Sequence, residues 1–111
     1  MGTEIVVLYT GQPGIADTVL NTPNANVKYK ITAATVTNDT TTEKWITFHN
    51  VPAAGTAGDD NIIVNQKVVG SKETVPLWEL VNQTIPKSGF LSAIAEAADQ
   101  LTVHISAVMF Y

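Results

Sequence analysis

The side chains best suited to acid–base chemistry near neutral pH are the two histidines, His49 and His104. Each alternates with threonine or serine in an apolar-rich segment, which predicts that both lie on the outer face of a β-strand. A zinc site would need a third ligand on the same face, and the sequence offers none at a recognisable spacing. We therefore expect both histidines to be polar residues on a solvated or subunit-facing sheet.

A serine-hydrolase set can be written from Ser88 or Ser106 with His104 and Asp99. Neither serine lies in a nucleophile-elbow motif, the turn that exposes such a nucleophile. The chain has no cysteine, which excludes thiol nucleophiles, thiolate metal sites and disulfides. No glycine is followed by the Lys-Ser pair and helix of a phosphate-binding loop. The sequence therefore predicts no catalytic residue, no cofactor and no enzyme activity.

Asp59, Asp60 and Asn61 form the best cluster of oxygen ligands, at the end of the loop 52–61. Calcium takes six or more oxygens, commonly from alternating positions of a glycine-containing loop. This run has two adjacent carboxylates and lacks that spacing, so we expect no metal ion. We expect Asp59 or Asp60 to cap a short helical turn that leads into Ile62.

Two interpretations are open for the tryptophans and tyrosines. These residues are Trp45, Trp78, Tyr9, Tyr29 and Tyr111. Exposed on one face, such rings would form the stacking platform of a carbohydrate-binding sandwich. Buried in a core or an interface, they would anchor a structural protein. Whether Trp45 and Trp78 share an exposed face distinguishes the two classes of function.

The composition excludes several classes of partner. The 111 residues are 45% apolar and 14% charged, with a net charge of −4 and six lysines but no arginine. Nucleic-acid binding requires a basic face, usually rich in arginine, so we expect none. No apolar run approaches the ~20 residues of a membrane-spanning helix. Residues 1–4 lack the basic flank and apolar run of a signal peptide. We expect no membrane among the partners of this chain.

Short apolar-rich segments, each closed by a turn-forming cluster, predict strands along the whole chain. The predicted strands are residues 4–9, a short element within 17–20, and 27–37, 43–51, 62–69, 73–80, 89–95 and 101–111. Residues 94–98 have an alternative as one helical turn, although five residues do not sustain a helix alone. We predict a single all-β domain over residues 1–111, a jelly-roll-like β-sandwich of about seven to eight mostly antiparallel strands.

The alternation of apolar residues predicts both a bulge and a core. Tyr29 and Ile31 share one phase of their strand, whereas Val36 has the opposite phase, so we place a β-bulge within residues 32–35. The inward phase of the strands predicts a set of residues buried between the two sheets. This set consists of Ile31, Ile46, Phe48, Val75, Leu77, Val103 and Ile105.

Four segments carry a family resemblance: the threonine-rich strand and turn 34–40, the loop 51–61, the strand approach 70–77 and the ending 101–108. Their order over about residues 27–108 resembles the small phage virion proteins, jelly-roll or β-sandwich proteins that decorate heads or build tails and fibres. Ala107 stands where such proteins typically have glycine, and Phe90 stands where an acidic residue is expected.

The resemblance implies a non-enzymatic structural protein of a bacteriophage virion, and it brings no residue of known chemistry. The leading expectation is a capsid decoration (cement) protein that stabilises the head shell after assembly in the host cytoplasm. Its partners would be itself, as a homotrimer, and other virion proteins such as the major capsid protein. A tail, collar or fibre component is the alternative within this class, and a carbohydrate-binding module is the alternative from another class.

The C-terminal residues Met109, Phe110 and Tyr111 extend an apolar strand to the last residue. Solvated apolar side chains at a strand end would favour aggregation, so we expect these three to be covered. The cover would be either residues 4–8 of the same chain or a neighbouring subunit. Because Phe and Tyr are enriched at interfaces, we favour the subunit contact.

Overall fold

The structure is a computed structural model that describes residues 2–111. The strands form two antiparallel sheets and are separated by turns and loops. They are β1 (Thr3–Gly11), β2 (Thr18–Val19), β3 (Lys28–Asn38), β4 (Lys44–Val51), β5 (Ile62–Val69), β6 (Glu73–Pro76), β7 (Thr84–Ile85), β8 (Phe90–Ala95) and β9 (Leu101–Phe110). A 3₁₀ helix, Asp59–Asn61, precedes β5. Within residues 2–111, no helix has the length and apolarity that crossing a membrane would require.

The first sheet has the strand order β1-β9-β3-β6, with β7 also paired to β3, and the second has the order β2-β8-β4-β5. Apart from the β4–β5 hairpin and the short β7, consecutive strands lie in opposite sheets, which is the arrangement of a jelly roll. The prediction of an all-β, jelly-roll-like sandwich is confirmed. The C-terminal strand β9 is central, because β1 and β3 pair with it on either side as far as Phe110.

The predicted bulge is present, and it lies at the first residue of the predicted range 32–35. The pairing of β3 with β9 shifts register between Ile31 and Ala33, so Thr32 is the extra residue. Tyr29 and Ile31 point towards the core before the shift, and Ala34 and Val36 do so after it. One inserted residue therefore keeps apolar side chains of both phases on the inner face.

The core lies between the two sheets and contains the predicted residues. Six of the seven are at most 1% exposed, and Phe48 is the largest of the fully buried side chains. Val75 is only half-buried, because β6 is an outermost strand and has a neighbour on one side. The structure adds Leu80, Ile85, Leu91 and Leu101 to this core.

The predicted strand 73–80 ends earlier, at Pro76. The Leu77 N–H still donates to the Ala34 carbonyl at 2.9 Å, and the chain then turns, with the Leu80 N–H donating to the Leu77 carbonyl. Leu77 and Leu80 are both fully buried, because residues three apart in such a turn lie on the same side. Residues 94–98 form no helix: β8 continues to Ala95 and a turn follows.

Candidate functional site

His49 lies on the outer face of the second sheet as predicted, but it is neither solvated nor available to a subunit. Its side chain is only 6% exposed, and its strand β4 packs against the 3₁₀ helix Asp59–Asn61. The cross-strand neighbours of His49 are Ile62 on β5 and Ser92 on β8. The expectation of an accessible His49 is therefore wrong, because the chain itself folds back over this part of the face.

Ser92, the buried cross-strand neighbour of His49, bonds to Asp17, an exposed residue before β2, and the sequence did not indicate this contact. The Ser92 hydroxyl is fully buried and donates to Asp17 Oδ1 at 3.5 Å. The His49 Nδ1 atom has no hydrogen-bond partner among the described residues. The Asp17 carboxylate thus bonds to the serine. In a Ser–His–Asp triad the carboxylate bonds to the imidazole and the imidazole bonds to the serine, so this arrangement is not a triad. The Ser92–Asp17 hydrogen bond therefore links β8 to the loop before β2.

The hydrolase set written from the sequence is not assembled either. His104 is exposed on the outer face of the first sheet, and its Nδ1 lies 3.5 Å from the hydroxyl of Thr10. Ser106 lies two residues further along the same strand, and Asp99 lies in the turn before it. Ser88 is in the loop between β7 and β8, where its N–H donates to the Asn24 carbonyl.

The acidic run adopts the helical turn that was expected, with a different cap. Asp59 and Asp60 are exposed and occupy the first two positions of the 3₁₀ helix, whose N-cap is Gly58. Asn61 closes the turn, because its Oδ1 accepts the Gly58 N–H at 3.0 Å. Within residues 2–111, no three His, Cys, Asp or Glu side chains gather around a common point.

Trp45 and Trp78 lie on elements of different sheets. Trp45 is half-buried on the outer face of the second sheet, next to Val68, which is 55% exposed. Trp78 is 71% exposed in the turn that follows β6 of the first sheet. This arrangement therefore does not favour a stacking platform built from both rings.

The C-terminal residues are partly covered by their own chain. Met109 and Phe110 are half-buried, and Tyr111 is 53% exposed. Their backbone pairs with residues 2–4, since Phe110 is opposite Thr3 and the Tyr111 N–H donates to the Gly2 carbonyl. The start of the same chain therefore pairs with the backbone of residues 109–111. Part of their side-chain surface stays exposed, where a neighbouring subunit could bind.

Met109 and Phe110 face opposite sides of the first sheet. Met109 lines a groove of about 430 Å³ on the inner side, together with Val6, Leu8, Tyr29 and residues 20–24. Phe110 lies on the outer side, where the Lys28 Nζ is 5.8 Å from its ring centroid. A smaller cavity of about 170 Å³ lies among Lys28, Lys87, Phe110 and Tyr111. The outer side thus combines aromatic surface with positive charge.

Two of the most exposed large apolar side chains belong to β1, an outermost strand of the first sheet. Ile5 is 83% exposed and Val7 is 71% exposed, and both face outwards. The sequence does not reveal which residues of this strand face outwards, because residues 5–8 are uniformly apolar and show no alternation. The signal was the run itself: four consecutive apolar residues in an extended strand place two on each face.

Two ionisable groups have displaced pKa values, and neither belongs to a catalytic grouping. Burial raises the pKa of the Tyr9 phenol. A backbone hydrogen bond, joined by the hydrogen bond and charge of Lys67, lowers the pKa of the Glu79 carboxyl against the opposing effect of burial. The Glu79 and Lys67 side chains form an ion pair of 3.0 Å between the turn after β6 and β5. This pair connects the edges of the two sheets.

Comparisons with known proteins show the fold. No protein-family model matches the sequence, and no curated protein matches it significantly. A protein of Bacillus endospore appendages, which form a novel family of disulfide-linked pili, aligns with a TM-score of 0.55 at 13% identity. That alignment covers 98% of this chain and 86% of the appendage protein.

A chain of infectious bursal disease virus, Gx strain, aligns with a TM-score of 0.50 at 15% identity. The alignment covers 97% of the present chain, which spans about a third (32%) of the viral chain. At these identities the two likenesses show a shared β-sandwich fold and nothing beyond it.

Proposed function

We propose that this chain is a non-enzymatic structural subunit that self-associates within a larger assembly. The observation that carries the proposal is the uncovered apolar surface of the first sheet, where Ile5 and Val7 are 83% and 71% exposed. Soluble monomers rarely leave such residues clustered on an outermost strand, because an exposed apolar edge promotes association. An assembly subunit covers this surface with a neighbour.

The fold likeness supports the same class of function. The appendage protein is described as a pilus former, and the second relative belongs to a virus. Both therefore come from larger biological structures, and the appendage chain is similar to this one over most of its own length. Neither alignment reaches a level of identity that would carry a partner or a location over to this chain.

The specific form of the proposal is a bacteriophage capsid decoration (cement) protein, a homotrimer bound to the major capsid protein. It comes from the order of segments over residues 27–108, and the jelly-roll topology fits it. A tail, collar or fibre component is the alternative within the class. We do not propose a carbohydrate-binding module, because Trp45 and Trp78 lie on elements of different sheets.

The direct test is the mass of the purified full chain by sedimentation velocity, with electron microscopy of the same sample. A symmetric oligomer or a regular polymer at micromolar concentration is the expected result, and a trimer is expected for a decoration protein. A chain that stays monomeric at high concentration would contradict self-association. Immunogold labelling of virions then distinguishes head from tail or fibre.

A second test concerns Met109, Phe110 and Tyr111, which we propose to be interface residues. Deleting residues 109–111 is expected to leave a folded monomer that no longer assembles, because it removes the half-buried Phe110 and the exposed Tyr111. Circular dichroism and sedimentation velocity measure the two properties separately. Trp78→Ser is the control, since it removes an exposed aromatic side chain at a distant turn.

Each departure from that result has a definite meaning. A truncated chain that assembles normally would place the interface elsewhere. A truncated chain that fails to fold would show that the three residues belong to the core of a single subunit.

A further inference from the structure

The two sheets carry matching rows of side chains on their outer faces, one ending in a lysine and the other in a glutamate. The first row crosses β1, β9 and β3: Ile5 is opposite Val108, which is opposite Lys30. Cross-strand partners lie on the same face, so these three side chains are neighbours on the outside of the first sheet. With strands ~4.8 Å apart, Lys30 lies about 10 Å from Ile5.

The second row crosses β5, β4 and the end of β8. Val68 is opposite Trp45. Trp45 is joined to Glu96 by two hydrogen bonds, since its N–H donates to Glu96 Oε1 at 3.1 Å and its carbonyl accepts the Glu96 N–H at 3.0 Å. The row therefore runs from Val68 on an outermost strand through Trp45 to Glu96, the residue after β8, whose carboxylate contacts the Trp45 N–H. Glu43, exposed just before β4, adds a second negative charge near Trp45.

The apolar and charged members of both rows are accessible. Ile5 is 83% exposed and Val68 is 55% exposed. Lys30 and Glu96 are exposed, and neither takes part in an ion pair among residues 2–111, where the pairs are Lys67–Glu79 and Lys72–Asp39. Lys28, in the next position of its face, adds positive charge beside Phe110.

We propose that the first row of one copy docks on the second row of another copy of this chain. Face to face, Ile5 covers Val68, Val108 covers Trp45, and Lys30 meets Glu96. Each row starts at an outermost strand and becomes charged two strands inward, so one alignment matches all three positions. This inference rests on the proposed self-association and identifies the surfaces that carry it.

The contact joins two different surfaces, so it is heterologous. A pair of copies joined in this way still has one free row at each end, and growth continues until the copies close a ring or form a filament. A trimer would be one such ring. A two-fold symmetric contact, in contrast, would bury the same surface on both copies and stop at a dimer.

The test uses two variants, each with one row disabled. Ile5→Asp with Lys30→Glu disables the first row, and Val68→Asp disables the second, so the two disabled rows carry like charges and do not pair with each other. These side chains are exposed, so circular dichroism is expected to show a native fold for both proteins. Each variant alone is expected to sediment as a monomer, and an equimolar mixture is expected to form a heterodimer and nothing larger.

A heterodimer in the mixture is specific to a heterologous contact, because each variant supplies the row that the other lacks. Trp78→Asp, an exposed apolar residue outside both rows, is the control and is expected to assemble as the wild type does. If the mixture stays monomeric, or if either variant assembles alone, the proposed pairing of rows is wrong. If the wild-type chain is itself monomeric, the proposed function is wrong as well, so the two failures are distinguishable.

A charge exchange tests the alignment without touching the apolar residues. Lys30→Glu and Glu96→Lys are each expected to weaken association about tenfold, because each places like charges opposite one another. The double variant carrying both changes is expected to recover most of the wild-type association constant. Circular dichroism checks that each variant is folded, because Glu96→Lys also removes the hydrogen bond from the Trp45 N–H. A natively folded double variant as weak as the single ones would overturn the pairing of Lys30 with Glu96.

Discussion

The outer face around His49 and the outer face around Ile5 differ in one respect: the chain covers the first and leaves the second open. His49 is 6% exposed, and the 3₁₀ helix Asp59–Asn61, which ends the long loop after β4, contacts its strand. No such segment among residues 2–111 crosses the outer side of β1, where Ile5 is 83% exposed.

The difference shows how an outer face of a sandwich is used. Where the chain covers an outer face, residues such as His49 and Ser92 are buried there, and Ser92 bonds to the exposed Asp17. Where no loop returns, apolar residues stay accessible, and the surface is suited to a neighbouring molecule. Exposure on a sheet therefore depends on the connection that follows a strand as much as on its alternation.

The largest loss of stability is expected in the core that both faces share. Phe48→Ala should lower the free energy of unfolding by about 3–5 kcal/mol, because Phe48 is fully buried between the sheets. Urea titration of the monomer measures the change. Val75→Ala is the matched control, and it should cost less because Val75 is half-buried at an outermost strand. A loss below about 1 kcal/mol for Phe48→Ala would mean that the inner phase of β4 is wrongly identified.

An intermediate loss is expected on the covered face. His49→Ala should destabilise the protein by about 1–3 kcal/mol, since it opens a cavity beneath the returning loop. His104→Ala, the same substitution on the open face, should change stability by less than about 0.5 kcal/mol. Comparable urea midpoints for the two variants would contradict the difference between the faces.

Most strand positions, the bulge and most of the core could be predicted from the sequence, because each produces a recognisable pattern in a few neighbouring residues. The change of phase between Ile31 and Val36 located the bulge, and turn-forming clusters bounded nearly every strand. The early end of β6 was missed, because the apolar positions Leu77 and Leu80 fit a continuing strand nearly as well as a turn. Their burial depends on how the turn packs against the other sheet, and the local sequence pattern carries no information about that packing.

The candidate surfaces were less predictable for the same reason. The sequence drew attention to Met109, Phe110 and Tyr111, whose apolar run ends the chain, but not to Ile5 or Val68. The exposure of those two residues follows from their place on the outermost strands β1 and β5, which is a property of strand order. The accessibility of His49 was wrongly predicted because alternation assigns a face and does not reveal that a loop covers it.

The smallest effect is expected at neither face but at the edge where the sheets meet, at the Lys67–Glu79 pair. The pKa of Glu79 is lowered from its ordinary value of 4.5, first by a backbone hydrogen bond and also by Lys67. The unfolded chain then binds a proton more readily than the folded one, so this stabilisation is present above pH 4.5 and disappears as the pH falls through the folded pKa.

Glu79→Gln removes the titrating group and should therefore flatten the acid loss of stability below pH 4.5. The difference should be only about 0.5 kcal/mol, because the side chains of the pair are 27% and 43% exposed and solvent screens them. Lys67→Gln keeps the carboxyl and its backbone hydrogen bond, so it should retain part of the acid dependence. Urea unfolding of the three proteins at pH 6 and at successively lower pH below 4.5 measures these differences. Identical acid dependence in the wild type and Glu79→Gln would show that the pair does not stabilise this edge, leaving the turn after β6 held by Leu77 and Leu80 alone.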